Sequence, residues 1–297
     1  VKTSTLFKRT EQRAGDDYIV VIGAGVMGTC ITTMALGHGA PVLLIDTDMN
    51  KIDRSCTEIR TQLRHGRLLS KFPPGVAAGQ LAVGNKIELA GRAVAVVEAI
   101  TENRKLKQMV LQEVQAQVEP TTPLITNTSG IPIDELATSL RRPEDLVGAH
   151  FMNPAYLIGM VEVIRGPRTA EVTLDAVGNL LKSLNRQMIV VRDSPGFVTS
   201  RLLHPMINDA ARLVEEGVAT VETVDSLMVG CLGHAVGPLR TADLIGIDNL
   251  IDSLDALHER TAEERYKPCS LLLDKKANGH LGRKTDQGFY KYSAGVM

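Results

Sequence analysis

The sequence predicts an α/β protein in which a Rossmann-like, doubly wound parallel sheet is followed by a smaller all-helical domain. Short apolar runs alternate with helical patterns through the first two-thirds of the 297 residues, the order that builds an open sheet covered on both faces. The first run ends in a glycine triplet, and beyond Asp193 the strand-like runs give way to helix patterns. The expected segments are a flexible leader over 1–17, a Rossmann-like dinucleotide-binding domain over 18–192 and a helical C-terminal domain over 193–297.

The leader, "VKTSTLFKRTEQRAGDD", lacks the apolar stretch of a signal peptide. "YIVVIGAG" (Tyr18 to Gly25) is rich in β-branched residues and reads as a buried parallel strand. "VMGTCITTMALGHG" is a helix closed by Gly39, "PVLLID" a second strand and "KIDRSCTEIRTQLRHGRLL" a polar helix. Further strands are expected in "AVAVVEAI", "PLITNTS", "LVGAHFM" and "QMIVVRD". The helices between them are "KLKQMVLQEVQAQV", "PIDELATSL" and "AEVTLDAVGNLLKSL". "DSPGF" signals a turn, and "FVTSRLLHPMINDAARLVEEG" a long helix broken or kinked by Pro205. "VETVDSLMVGCLG" puts Val224, Leu227, Met228 and Cys231 on one face at helical spacing.

Composition removes several classes of function. A net charge of -1, 3% aromatics and no Trp leave neither a basic footprint nor a stacking platform for nucleic acid. No apolar run is long enough to span a membrane. Cys30, Cys56, Cys231 and Cys269 are scattered without metal-site or disulfide-framework spacing. They read as small buried hydrophobes in a reducing cytoplasm, and no metal is expected.

Gly23, Gly25 and Gly28 form G-x-G-x-x-G around Ala24, Val26 and Met27, between a strand and a helix. The first glycine permits the tight turn, the second lets the backbone approach a pyrophosphate, and the third lets helix and sheet pack closely. The helix N-terminus then offers unpaired N–H groups and partial positive charge to the phosphates. Asp46 ends the next strand, where a carboxylate accepts ribose hydroxyls and repels a 2′-phosphate. The expected cofactor is NAD.

One stretch, "GAHFMNPAYLIGMVEVIRG", carries a single histidine, His150, and twelve residues later a single carboxylate, Glu162. Buried charges require partners. The two residues therefore form either a satisfied core pair or a catalytic base with its orienting carboxylate. His38, His65, His204, His234, His258 and His280 lie on helices or turns and suit surface or capping roles.

Taken with "VIGAGVMG", "VVEAITENRKLKQ", "TNTSGIPI", "DSPGFVTSRLL" and the terminal "GRKTDQGFYKY", this stretch resembles the 3-hydroxyacyl-CoA dehydrogenase family over nearly the whole chain. The resemblance implies a helical second domain that mediates homodimerisation. It makes His150 the general base, Glu162 its orienting partner and Ser129 the donor to the substrate's reacting oxygen. Asn153 would lie beside the nicotinamide, with Glu102 and Lys107 near its ribose and phosphates. Ala99, Ile100 and Asn127 would line the cofactor, and Lys284 would reach it from the C-terminal segment.

Two features depart from the family pattern. Ser200 stands where the family carries an Asn close to the histidine and the thioester, so it joins the expected catalytic set in a shorter, hydroxyl form. The helix after Asp46 offers Arg60, Arg64, Arg67 and Lys71 where CoA-dependent members carry lysines. These points, with the resemblance to a branch acting on carrier-bound glyceryl groups, give the leading expectation. It is oxidation of glyceryl on an acyl carrier protein to a 2-hydroxy-3-oxopropionyl thioester, in polyketide extender-unit biosynthesis. The alternatives are a short-chain 3-hydroxyacyl-CoA substrate such as 3-hydroxybutyryl-CoA, and a non-catalytic, crystallin-like NAD-binding protein.

Overall fold

A computed structural model describes residues 7–9 and 18–292, and the chain divides into two compact units at Ser194/Pro195. In the first unit the element order is β1 (Phe7–Arg9), β2 (Tyr18–Ile22), α1 (Val26–Gly37), β3 (Val42–Ile45), α2 (Met49–Leu68), β4 (Leu81–Gly84) and β5 (Ala93–Glu98). It continues with α3 (Arg104–Gln115), β6 (Leu124–Thr126), α4 (Ile133–Ala137), β7 (Leu146–His150), β8 (Met160–Arg165), α5 (Glu171–Ser183) and β9 (Gln187–Arg192). Among the described residues nine strands share one sheet, ordered β1-β4-β3-β2-β5-β6-β7-β8-β9. The order reverses at β2, whose neighbours are β3 on one side and β5 on the other, so the crevice beyond its C-terminal end is the natural dinucleotide site.

Burial follows from this topology. β2 and β3 are buried at every residue, as strands covered on both faces must be. Helices α1 and α2 are locked by Phe72, whose ring lies against a glycine of each. An added Cβ would stand 2.2 Å from the ring at Gly37 and 2.4 Å at Gly66.

Three strands differ from the expectation. Phe7–Arg9, inside the segment read as a flexible leader, pairs parallel with β4; the rest of that segment lies outside the described residues. β4 itself, "LAVG", is too short for its periodicity to register. The stretch from Gly148 to Gly166 is two strands, and β7 and β8 run antiparallel. Residues 151–159 hold no helix, and without a crossover element the chain returns in the opposite direction.

The second unit is helical, with α6 (Thr199–Glu215), α7 (Val221–Leu232), α8 (Pro238–Ile245), α9 (Ile247–Thr261) and α10 (Ser270–Ala277). Its core gathers Ile207, Ala211, Leu239, Ala242, Leu250, Leu254, Tyr266 and Leu272. Helix α6 runs continuously through Pro205. The face expected on α7 is buried only at Val224, while Leu227 and Cys231 are exposed. His204 is not a surface residue: it is buried, with Nδ1 2.7 Å from Ser253 Oγ.

Candidate active site

The glycine loop fits a dinucleotide by its own geometry. Gly23 adopts φ +108°, and any Cβ there would stand 2.6 Å from the Ala99 carbonyl oxygen, so only glycine lets the loops after β2 and β5 meet. A Cβ at Gly28 would lie 1.7 Å from the Gly23 carbonyl oxygen, which fixes how closely α1 starts against the loop. At Gly25 a Cβ would meet nothing within 4 Å, leaving bare backbone on the open side. Gly25 is also the N-cap of α1, with no side-chain cap and no acidic residue in the first turn. The leading N–H groups are thereby presented to an anion. Val26 is exposed and Met27 half-buried beside them.

Asp46 closes one side of this loop. Its Oδ2 accepts the Ala24 N–H at 2.8 Å and its Oδ1 the Asp48 N–H at 2.9 Å. These bonds fix the carboxylate plane, and each oxygen keeps acceptor capacity for ribose hydroxyls.

The loops after β5 and β6 are tied by three charged groups. Glu98 and Lys107 are both fully buried, with Nζ 2.7 Å from Oε1. Glu98 also accepts the Ile100 N–H at 2.8 Å and the Thr126 hydroxyl at 2.6 Å. Lys107 turns its remaining donors to Glu102 Oε2 at 3.3 Å and the Ile100 carbonyl at 3.4 Å. Glu102 Oε1 accepts from Thr128 Oγ1 at 2.5 Å, the Ser129 N–H at 3.0 Å and the Ser129 hydroxyl at 3.3 Å. Lys107 therefore sits inside the wall, its donors directed at protein oxygens, and Glu102 faces Ser129.

Strand register brings His150 and Glu162 together. They are directly opposed residues of the antiparallel β7–β8 pair, and Nδ1 lies 3.1 Å from Glu162 Oε2. Both side chains are largely buried, at 12% and 7% exposure, which strengthens the interaction relative to water. The residues that follow are held in place. Asn127 Oδ1 accepts the Phe151 N–H at 3.0 Å, and Asn153 Oδ1 lies 3.4 Å from the Cys30 thiol. Burial pushes that thiol's pKa up, so Cys30 packs as a neutral group. Farther along, Tyr156 meets His65 Nδ1 at 3.0 Å, and Arg186 donates to the Ile158 carbonyl at 3.2 Å.

The first unit thus brings together the glycine loop, Asp46, the Ala99–Ile100 turn, Glu102, Asn127, Ser129, His150, Asn153 and Glu162 around the sheet's C-terminal ends. Ser200 and Lys284 belong to the second unit. Ser200 is buried in the first turn of α6, and Lys284 is ion-paired to Asp248. Arg60, Arg64, Arg67 and Lys71 are exposed on and just after α2. Glu98 escaped sequence reading. Its signal was a lone carboxylate inside the otherwise apolar run "AVAVVEAI", nine residues before Lys107.

Comparison with known proteins agrees with this geometry. Residues 18–194 match the model of the 3-hydroxyacyl-CoA dehydrogenase NAD binding domain, and residues 196–292 that of the 3-hydroxyacyl-CoA dehydrogenase C-terminal domain. A probable 3-hydroxybutyryl-CoA dehydrogenase of Deinococcus radiodurans is 38% identical over 92% of this chain and 99% of the relative. A 3-hydroxybutyryl-CoA dehydrogenase of Bradyrhizobium diazoefficiens is 35% identical over 92% of this chain and 94% of its own length. The crystal structure of the (S)-3-hydroxybutyryl-CoA dehydrogenase from Ralstonia eutropha superposes with a TM-score of 0.84 at 33% identity, covering 93% of this chain and 99% of that one. These relationships set aside the non-catalytic reading. The chain belongs to the 3-hydroxyacyl-CoA dehydrogenase family and is an NAD-dependent oxidoreductase.

Proposed function

We propose that the protein oxidises the 3-hydroxyl of a short-chain 3-hydroxyacyl-CoA, 3-hydroxybutyryl-CoA being the type substrate, to the 3-oxo thioester. The observation that carries this reading is the His150–Glu162 pair, held by strand register beside a dinucleotide loop. NAD, bound on that loop, supplies the hydride acceptor. With the Nδ1 proton directed at Glu162, Nε2 is the ring nitrogen that takes the hydroxyl proton. Glu162 then faces the imidazolium and offsets its charge. Ser129 is the donor to the reacting oxygen, its hydroxyl turning from Glu102 toward substrate; at 3.3 Å that bond is weak and costs little to exchange.

The family relationships reverse the order of substrates expected from sequence, since the relatives are named for 3-hydroxybutyryl-CoA. The carrier-bound glyceryl group remains as a second reading, favoured by Ser200. A hydroxyl there leaves room for, and can pair with, a substrate α-hydroxyl. The exposed arginines of α2 suit the phosphates of CoA and the acidic surface of a carrier protein alike. NADH formation from 3-hydroxybutyryl-CoA and from glyceryl carrier protein at matched concentrations tests the choice. We expect faster turnover of the CoA substrate; turnover of the carrier substrate alone would overturn that order.

The working assembly is a homodimer in the cytoplasm. The dimer is supported by apolar side chains standing outward on the second unit: Leu202 at 64%, Leu227 at 55% and Leu232 at 67% exposure. Among the described residues no helix is long and apolar enough to cross a membrane, and none of the four cysteines is in a disulfide.

A further inference from the structure

An ammonium and a carboxylate that are both fully buried are expensive to keep relative to an apolar pair of similar volume. Glu98 and Lys107 sit where that cost has an effect on the site. We propose that Glu98 is a positioning residue: by holding the Lys107 ammonium it leaves Glu102 directed at the Thr128 hydroxyl and at the N–H and hydroxyl of Ser129, so one ion triad sets both the cofactor-side and substrate-side loops. Only its catalytic consequence rests on the reading of Ser129 given above.

The geometry supports each link. Glu98 Oε1 makes the short contact to Nζ at 2.7 Å, whereas Glu102 Oε2 stands off at 3.3 Å. Glu98 therefore neutralises most of the buried charge. Glu102 is left to accept from Thr128 Oγ1, from the Ser129 N–H and from the Ser129 hydroxyl. Thr128 Oγ1 in turn accepts the Ile131 N–H at 2.9 Å, which extends the latch along the loop. Neutralising Glu98 makes Glu102 the nearest anion to an ammonium that cannot reach water. Glu102 is then drawn toward Lys107 and away from Ser129.

Glu98→Gln isolates the charge, because an amide still accepts from Ile100 and still pairs with Thr126. Hydrogen exchange across residues 128–131 should quicken by about tenfold, the loss of a hydrogen bond to a charged group. kcat should fall by a similar factor with little change in KM for NAD. Glu98→Gln combined with Lys107→Met leaves no unpaired buried cation and should return exchange toward the wild-type rate, a recovery that a merely structural role would not give. This double variant also carries the test if the single variant does not fold. Unchanged exchange in folded Glu98→Gln, or a double variant as loose as the summed singles, overturns the proposal. Ser129→Ala separates the two readings. Normal turnover there, with fast exchange in Glu98→Gln, removes Ser129 from the chemistry and keeps the latch.

Discussion

At His150 the tautomer is decided by the partner across the strand pair. Glu162 Oε2 lies 3.1 Å from Nδ1, and because a carboxylate can only accept, the neutral ring is directed to carry its proton on Nδ1. His150→Gln keeps a polar group of similar reach but cannot hold a proton in transit. Turnover should fall by about 10²- to 10⁴-fold while NADH affinity, read by fluorescence titration, is retained. A His150→Gln enzyme with near-normal rates would return the pair to a structural role. His150 and Glu162 were legible in the sequence because each is the sole charged side chain of its strand apart from the terminal Arg165. Glu98 was not legible as a functional residue. A single acid at a strand end looks like an ordinary solvated terminus until Lys107 is seen to be buried against it.

Among the elements, long periodic segments were read well and short ones poorly. α2 and α5 match their expected bounds closely because an amphipathic pattern over several turns has one solution. β8 was hidden within a longer apolar stretch, and β9 was read simply as a further strand, with nothing to mark that Ile189 and Val190 are exposed at the sheet edge. Apolar content alone does not separate an edge strand from a central one. The same ambiguity marks α6 and α7. Leu202, Met206 and Leu213 of α6 join Val224 and Met228 of α7 around one apolar groove on the second unit. In the proposed homodimer a second copy covers that groove. Placing a charge in its lining by Leu202→Glu should yield monomers in sedimentation equilibrium without loss of helical content; an unchanged molecular mass would locate the dimer contact elsewhere.

For the molecule as a whole, stability is coupled to pH through Asp193, at the end of β9. Burial raises its pKa, and the neighbouring carboxylates of Asp134 and Glu135 act in the same direction, against the N–H bonds from Asp134 and Ile133. Oδ2 accepts the Asp134 N–H at 2.9 Å, while Oδ1 has no hydrogen-bond partner among the described residues. Because the folded-state pKa lies above the unfolded one, the contribution of Asp193 is fully present below about pH 4 and is lost as pH rises through the folded value. Asp193→Asn keeps an acceptor without the charge. It should raise the melting temperature at pH 7 and make little difference near pH 4; a gain that is equal at both would disprove the linkage. The division of labour between sheet and helical units was legible from the change of pattern at Asp193. The reversal of strand direction at β8 was not, because it depends on which connection lacks a helix. That reversal bears on folding order. His150 and Glu162 are twelve residues apart, whereas β2 must find β5 across more than seventy. Loop closure costs more as the intervening chain lengthens, so an unfolded chain assembles the His150–Glu162 pair at the least entropic cost of any strand contact among the described residues. That pair can be in register before the crevice beside β2 has closed.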